Sequence, residues 1–315
     1  MRAAALDRFG GPDVLSIHTL PVPRPNAQEV LIALKAAGVG IWDVGMRDGS
    51  WEEGKTSFPL IPGIDGAGTV VSIGASVKRF AVGDYVYSYG YQNPKGGFYA
   101  EYVAVPAGKV SPVPAGLDAI HAGALATIGL TALQGVDDAL ELADGESVIV
   151  HGASGNVGMM ALQFAKLRGA RVLATASGAD GVELVRRLGA DEVVDGKRDD
   201  IVAAAERFAP DGVDAVLAFV GGKDLTRCLD ALRKGGRLAY PNGIEPAPRK
   251  RRGLKMKSYD AEAAPHYFES LNRAMIDGAV EIPIAEVLRL EDAAAAHRRL
   301  EKGHVIGKIV LEISG

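Results

Sequence analysis

The sequence holds one cysteine, Cys228, in 315 residues, so it can form no internal disulfide. Positive charge is not in excess: the formal net charge is -4, which argues against a general nucleic-acid binder, a class that is usually basic. No apolar run approaches the ~18 residues of a membrane span. The opening Met-Arg-Ala-Ala-Ala-Leu-Asp-Arg-Phe-Gly carries charges where a signal peptide needs an apolar stretch. The expectation is a cytoplasmic protein with no membrane and no nucleic-acid partner. Tryptophan is scarce, at two residues, so Trp42 and Trp51 are worth following individually. Glycine is plentiful, at 40, but shows no G-X-Y period, which excludes collagen. Most of the glycines stand at turns and strand ends, where the backbone needs positive φ or close approach.

The length suggests two domains, and the local grammar changes near Ile120. Before it, short apolar runs (Val30-Leu31-Ile32-Ala33-Leu34, residues 68–73, Tyr85-Val86-Tyr87, Tyr102-Val103-Ala104-Val105) alternate with Pro- and Gly-rich turns. Pro21, Pro23 and Pro25 make an extended connector. This predicts an irregular β domain with little helix. After a helix over 122–133, strands at 147–150, 171–176, 192–194, 215–218 and 237–240 alternate with helices at 156–168, 182–188, 201–208 and 225–232. Such βαβ units demand a parallel sheet with right-handed crossovers. Helices over 268–276 and 290–300 and a short strand at 287–288 follow, and a last strand, 308–311, most simply rejoins the first domain.

His151-Gly152-Ala153-Ser154-Gly155-Asn156-Val157-Gly158 joins a strand to a helix. A lone glycine triplet is weak, but the flanking strand and helix are the context the dinucleotide fingerprint requires. The glycines let backbone approach a pyrophosphate, and the helix presents free N–H groups and its positive dipole end. An NAD site usually carries an acid about 20 residues on, at the tip of the second strand. That tip here is Thr175-Ala176-Ser177-Gly178, which leaves room for a 2′-phosphate and favours NADPH. Asp180 lies close enough to keep NADH as the alternative, and the 2′-phosphate would need Lys197 or Arg198, or a more distant base.

With these motifs in place, the sequence resembles the medium-chain dehydrogenase/reductase superfamily in its zinc-free quinone oxidoreductase (zeta-crystallin-like) branch. The resemblance covers essentially the whole chain. It is carried by Gly10-Gly11-Pro12-Asp13-Val14-Leu15, Pro62-Gly63-Ile64-Asp65-Gly66-Ala67-Gly68, residues 77–84, Thr127-Ile128-Gly129-Leu130-Thr131-Ala132, the glycine turn with residues 161–169, and His304-Val305-Ile306-Gly307-Lys308-Ile309-Val310. It implies an α/β chain. Residues 1–120 and 265–315 would form a GroES-like β catalytic domain, and 121–264 a Rossmann doubly wound parallel sheet, with the active site in the cleft between them. Zinc-dependent relatives carry ligands where this chain has Gly40-Ile41 and Ile64-Asp65. Only Asp65 of these could bind a metal that needs about three protein ligands, so no zinc is expected. Without that Lewis acid, the expected partner is a small quinone or an alkene conjugated to a carbonyl.

The resemblance also places residues. The loop Gly40-Ile41-Trp42-Asp43 should face the nicotinamide, Thr127 its ribose (capping or packing being its other reading), and Phe219-Val220-Gly221 and Tyr240-Pro241-Asn242 the cofactor at strand ends. Lys308 should lie near the phosphates, its other reading being a surface strand residue. Asn and Tyr of quinone reductases are replaced by Gly40 and the Gly45 region, which suggests a differently shaped pocket. Trp51, Tyr87, Trp42, Tyr89 and Tyr91 are candidates to line it, each read as packing or pocket wall with proton donor as the competing role. Asp43 is a catalytic candidate or a structural acceptor. The basic run Arg249-Lys250-Arg251-Arg252-Gly253-Leu254-Lys255-Met256-Lys257 reads as a solvated loop, with a flap over an anion, or a nucleic-acid patch, as the alternative. A homodimer is expected, as relatives pair Rossmann sheets edge to edge. The competing readings are a metal-free carbonyl or alcohol dehydrogenase, and a catalytically silent NADPH-sensing or nucleic-acid-binding protein.

Overall fold

A computed structural model describes residues 1–51, 56–91 and 93–313. The first strands are β1 (Arg2–Ala5), β2 (Ser16–Thr19) and β3 (Glu29–Val39), followed by helix α1 (Ile41–Asp48). Then come β4 (Asp65–Ile73), β5 (Tyr85–Tyr89), β6 (Tyr102–Pro106), β7 (Val110–Pro112) and α2 (Ala119–Gln134). The middle of the chain is β8 (Ser147–His151), α3 (Asn156–Leu167), β9 (Arg171–Ala176), α4 (Gly178–Arg187), β10 (Glu192–Asp195), α5 (Ile201–Phe208), β11 (Val213–Ala218), α6 (Lys223–Asp230), β12 (Leu232–Pro241) and β13 (Lys255–Tyr259). It closes with α7 (Pro265–Asp277), β14 (Ile284–Arg289), α8 (Ala293–Glu301) and β15 (Lys308–Glu312).

These elements fall into two compact units. The first is Met1–Thr127, Ala263–Asn272 and Ile282–Gly315, and the second Ile128–Glu262 with Arg273–Glu281. In the first, a seven-stranded sheet runs in the order β14-β15-β3-β4-β5-β7, with β6 also paired to β3. Its core gathers Ile32, Leu34, Val103, Phe98, Ile309 and Leu311. In β3 and β4, glycines permit tight pairing: a Cβ on Gly68 would lie 2.0 Å from the Ala33 carbonyl oxygen. The last strand, β15, pairs antiparallel with β3, Ile309 opposite Val39.

The second unit carries a parallel six-stranded sheet, β10-β9-β8-β11-β12-β13. This is the doubly wound order with a switch point beside β8, where such sheets bind ligands at the carboxyl ends of their strands. Ile149, Leu173 and Val216 form its buried centre.

Three expectations need correction. The loop 40–43 is the N-terminal turn of α1, not a loop: Asp43 at the third position accepts the Gly40 N–H and Gly49, at φ 83, ends the helix. The end of the basic run is a sixth strand: Lys255–Tyr259 pairs parallel with β12. Among the described residues, the helix at 119–139 is long and apolar enough to cross a membrane by length and composition, and 78% of its most apolar stretch is buried, the pattern of a core helix.

Candidate cofactor-binding site

The glycine turn occupies the carboxyl end of β8. Gly152 sits at φ 81, a left-handed conformation that side chains resist. A Cβ on Gly158 would fall 2.2 Å from the Gly152 carbonyl oxygen, so only glycine lets α3 close on the turn. Ala153 is buried, and its N–H donates to the Thr175 carbonyl oxygen, tying the turn to β9. Ser154 follows, half-buried, at the bend. Gly155 caps α3 in an extended conformation and supplies no side-chain acceptor. The first N–H groups of the helix, from Asn156, Val157 and Gly158, are thus left for an anion. The buried Asn156 Oδ1 and His151 Nε2 have no hydrogen-bond partner among the described residues. A dinucleotide pyrophosphate fits this donor set.

Ser177 follows β9 as the N-cap of α4, and Gly178, at φ 77, begins that helix. The helix therefore starts at Gly178, earlier than 182, with no capping hydrogen bond from the Ser177 side chain. Asp180 lies in that first turn, with its Oδ1 2.9 Å from the Gly181 nitrogen. Lys197 and Arg198 are exposed in the loop after β10; Arg198 reaches Asp195 at only 3.8 Å. Val220 is half exposed beside the turn, since a Cβ on Gly152 would meet its Cγ2 at 2.8 Å. Gly221 packs against the backbone of Pro246, where a Cβ would be 2.3 Å from a carbonyl oxygen.

Tyr240 and Pro241 belong to β12 itself, not to a loop after it, since the strand runs to Pro241. Asn242 is engaged: its N–H donates to the Tyr259 carbonyl at 2.9 Å and its amide to Asp260 at 2.7 Å, tying β12 to β13.

Beneath the turn, His151 Nδ1 lies 2.8 Å from Thr175 Oγ1, which accepts the Gly152 N–H at 3.0 Å. Burial holds the His151 pKa down to about 4, Asp224 pulling weakly the other way. Cys228 Sγ is 3.6 Å from the same nitrogen, and burial pushes its thiol up to about 12, so it is an inert buried thiol. Sequence reasoning assigned His151 and Cys228 no role; the positions of both follow from strand and helix periodicity.

In the first unit, Asp43, Asp65 and Lys308 are buried together. Both Asp65 Oδ1 and Lys308 Cε crowd the space a Gly38 side chain would fill, at 2.5 and 2.8 Å. A Cβ on Gly40 would be 3.6 Å from Lys308 Nζ. Lys308 is only 2% exposed, so it is not the surface strand residue of the competing reading. The Thr127 N–H donates to Asp65 Oδ2 at 2.9 Å. Burial raises the Asp43 pKa to about 7; Lys308 lowers it, Asp65 raises it, and the Gly40 N–H and Tyr99 hydroxyl lower it. With no exposed surface, Asp43 takes the structural-acceptor role. Ile64 is buried and apolar, Gly40 has no side chain, and among the described residues no three His, Cys, Asp or Glu gather as a metal group.

Tyr87 is fully buried; its hydroxyl donates to Asn272 Oδ1 at 2.7 Å and its ring meets Phe268 edge to face. It is a packing residue, not a pocket wall. Trp51 lies against Trp42, ring centroids 3.6 Å apart, and Trp42 meets Tyr91 edge-on at 6.3 Å. Trp51, Met46, Phe9, Leu60 and Lys95 line a cavity of about 560 Å³.

The alcohol dehydrogenase GroES-like domain matches residues 26–115, and the zinc-binding dehydrogenase family matches 188–311. A quinone oxidoreductase from Rattus norvegicus is 32% identical over 99% of this chain and 97% of its own. The chain belongs to the medium-chain dehydrogenase/reductase superfamily, in its quinone oxidoreductase branch. Other members of the superfamily frame its range. An NADPH-dependent alkenal/one oxidoreductase from Arabidopsis thaliana is 30% identical over 99% of this chain and 79% of its own. A solved NAD-dependent alcohol dehydrogenase superposes with a TM-score of 0.91, at 33% identity, over the full length of both chains. Gly40, Ile64 and Asp65 offer one carboxylate between them, a donor set that does not fit a zinc ion needing about three protein ligands.

Proposed function

We propose that the protein is an NADPH-dependent reductase that passes hydride, without a metal, to a quinone or to an alkene conjugated to a carbonyl. The observation that carries this reading is the turn 152–158, where glycine alone lets α3 aim its uncapped N–H groups outward. NADPH, when bound, would supply the hydride. The turn would hold its pyrophosphate, Ser177 and Gly178 would leave space for the 2′-phosphate, and Lys197 with Arg198 would neutralise it. Val220 and Gly221 would border the same strand-end site. Gly40, Thr127 and Lys308 would serve the nicotinamide and phosphate side. Trp51 and its cavity neighbours would bind apolar substrate surface.

The test is a titration of NADPH against NADH, followed by a panel of quinones and enones. NADPH is expected to bind more tightly and to be consumed with at least one acceptor. Tighter NADH binding would sink the cofactor assignment; binding without turnover would sink the enzyme assignment. Ser177→Asp places a carboxylate where the 2′-phosphate would sit. It is expected to weaken NADPH by about tenfold or more, equivalent to about 1.4 kcal/mol or more, while sparing NADH. Equal losses for both cofactors would contradict the placement.

The outer edge of β13 ends the six-stranded sheet and supports a homodimer in which two such edges pair about a twofold axis. Sedimentation at micromolar concentration is expected to give about twice the 32.9 kDa chain mass. A monomer at that concentration would exclude it.

A further inference from the structure

A chain of buried polar groups in the first unit runs from α1 to α8, and none of it is explained by packing alone. Arg47 is 2% exposed. Its Nε donates to the Gly10 carbonyl at 2.9 Å, its Nη2 to Glu301 Oε1 at 2.6 Å, and its Nη1 lies 3.3 Å from His297 Nδ1. A guanidinium stays protonated and has no acceptor, so the last contact has one possible direction: Arg47 donates and Nδ1 accepts. His297, fully buried, is therefore neutral with its proton on Nε2. Consistently, burial and then Arg47 push its pKa down to about 3, with only Asp48 opposing.

The direction propagates. His297 Nε2 is 3.2 Å from Tyr99 Oη, so Nε2–H donates and the tyrosine oxygen accepts. The Tyr99 hydroxyl hydrogen is then committed to Asp43 Oδ2 at 3.1 Å. That same Oδ2 accepts the Gly40 N–H at 2.7 Å, at the start of α1. Lys308 and Asp65 are the other charges facing Asp43. Without Arg47 the imidazole could hold its proton on either nitrogen. Tyr99 could then turn its hydrogen toward His297, leaving Asp43 one donor short and free to rotate.

We propose that Arg47, His297 and Tyr99 are positioning residues, a one-way hydrogen-bond chain that fixes Asp43 as an acceptor and so pins the Gly40 backbone. Its effect on turnover rests on the reading that Gly40 serves the nicotinamide side; the direction of the chain does not.

The test uses the full-length protein with NADPH, ¹⁵N-labelled at histidine and at the backbone. His297 is expected as a single neutral ring with its proton on Nε2 from about pH 5 to 8. Tyr99→Phe deletes one hydroxyl and keeps the ring. It is expected to shift the Gly40 amide signal and to lower kcat about tenfold, about the worth of one buried hydrogen bond, with KM for the acceptor within about twofold. His297→Gln offers an oxygen toward Arg47 and an N–H toward Tyr99, and should restore kcat to within about threefold of wild type, where His297→Leu does not. A His297 proton on Nδ1, an unmoved Gly40 signal or an unchanged kcat in Tyr99→Phe, or a Gln variant no better than Leu, would overturn the proposal. If the wild type consumes no quinone or enone while the nitrogen and amide signals behave as stated, the functional reading fails and the chain stands.

Discussion

Gly158→Ala is expected to weaken NADPH binding by about a hundredfold or more and to cost about 2 kcal/mol of stability. The added methyl would sit 2.2 Å from the Gly152 carbonyl oxygen and 2.8 Å from the Ala153 Cα. Both are backbone atoms of the turn itself, so no flexible side chain can move aside. Relief requires α3 to tilt away from β8, which carries off the N–H groups that would meet the pyrophosphate. Gly155→Ala makes an internal control. Its Cβ would be 3.3 Å from the Gly152 oxygen, a contact that a few tenths of an ångström relieve, so a smaller loss is expected there. Fluorescence titration with NADPH and thermal unfolding read the two effects separately. NADPH affinity within threefold of wild type in Gly158→Ala would show that the turn does not hold the cofactor.

Acidification should destabilise the protein with a slope that two histidines and one aspartate determine. His151 and His297 are buried neutral, with pKa values held down to about 4 and about 3 by desolvation, against an ordinary 6.5. Below pH 6.5 the unfolded chain takes up a proton at each, and the folded chain does not, so their contribution is lost as pH falls. Asp43 opposes them. Its folded pKa is raised to about 7 from an ordinary 3.8, so the folded state holds a proton the unfolded state lacks between those values. Two protons on one side and one on the other leave a net excess of one in the unfolded state. Stability is therefore expected to fall by about 1.4 kcal/mol per pH unit from pH 6.5 to 5, about 2 kcal/mol in all, before the salt-bridged carboxylates begin to titrate. Urea midpoints across this range measure it. His297→Gln removes one of the two opposing protons, so its slope there should drop to about zero; an undiminished slope would mean that His297 is protonated in the folded state.

The parallel sheet was legible because its strands are uninterrupted apolar runs between amphipathic helices, as Ser147–His151 and Arg171–Ala176 show. The glycine turn was legible because its chemistry is local. Helix α1 was not: Ile41–Asp48 contains Gly45 and follows Gly40, poor helix material, and it is held by the Asp43 contact at one end and left-handed Gly49 at the other. Strand β13 was hidden by its lysines, which break the apolar pattern of a strand that pairs on one side only within the chain. The burial of Tyr87, Asp43 and Lys308 could not be read from spacing. Each is stabilised by partners far away in sequence, such as Asn272 for Tyr87 and Tyr99 for Asp43. Periodicity says that a residue faces inward, and only the tertiary partner says whether a charge can stay there.

The pairing of β15 with β3 also sets an order of events during synthesis. The six strands of the second unit lie consecutively between these two partners, so that sheet can close while β3 still waits for its neighbour. Until Ile309 and Leu311 arrive, Val39 and Ala37 present an open, apolar strand edge. The first unit is thus the first to emerge and the last to finish. Its exposed β3 edge is the place where a stalled or nascent chain would be caught by another, or by a chaperone.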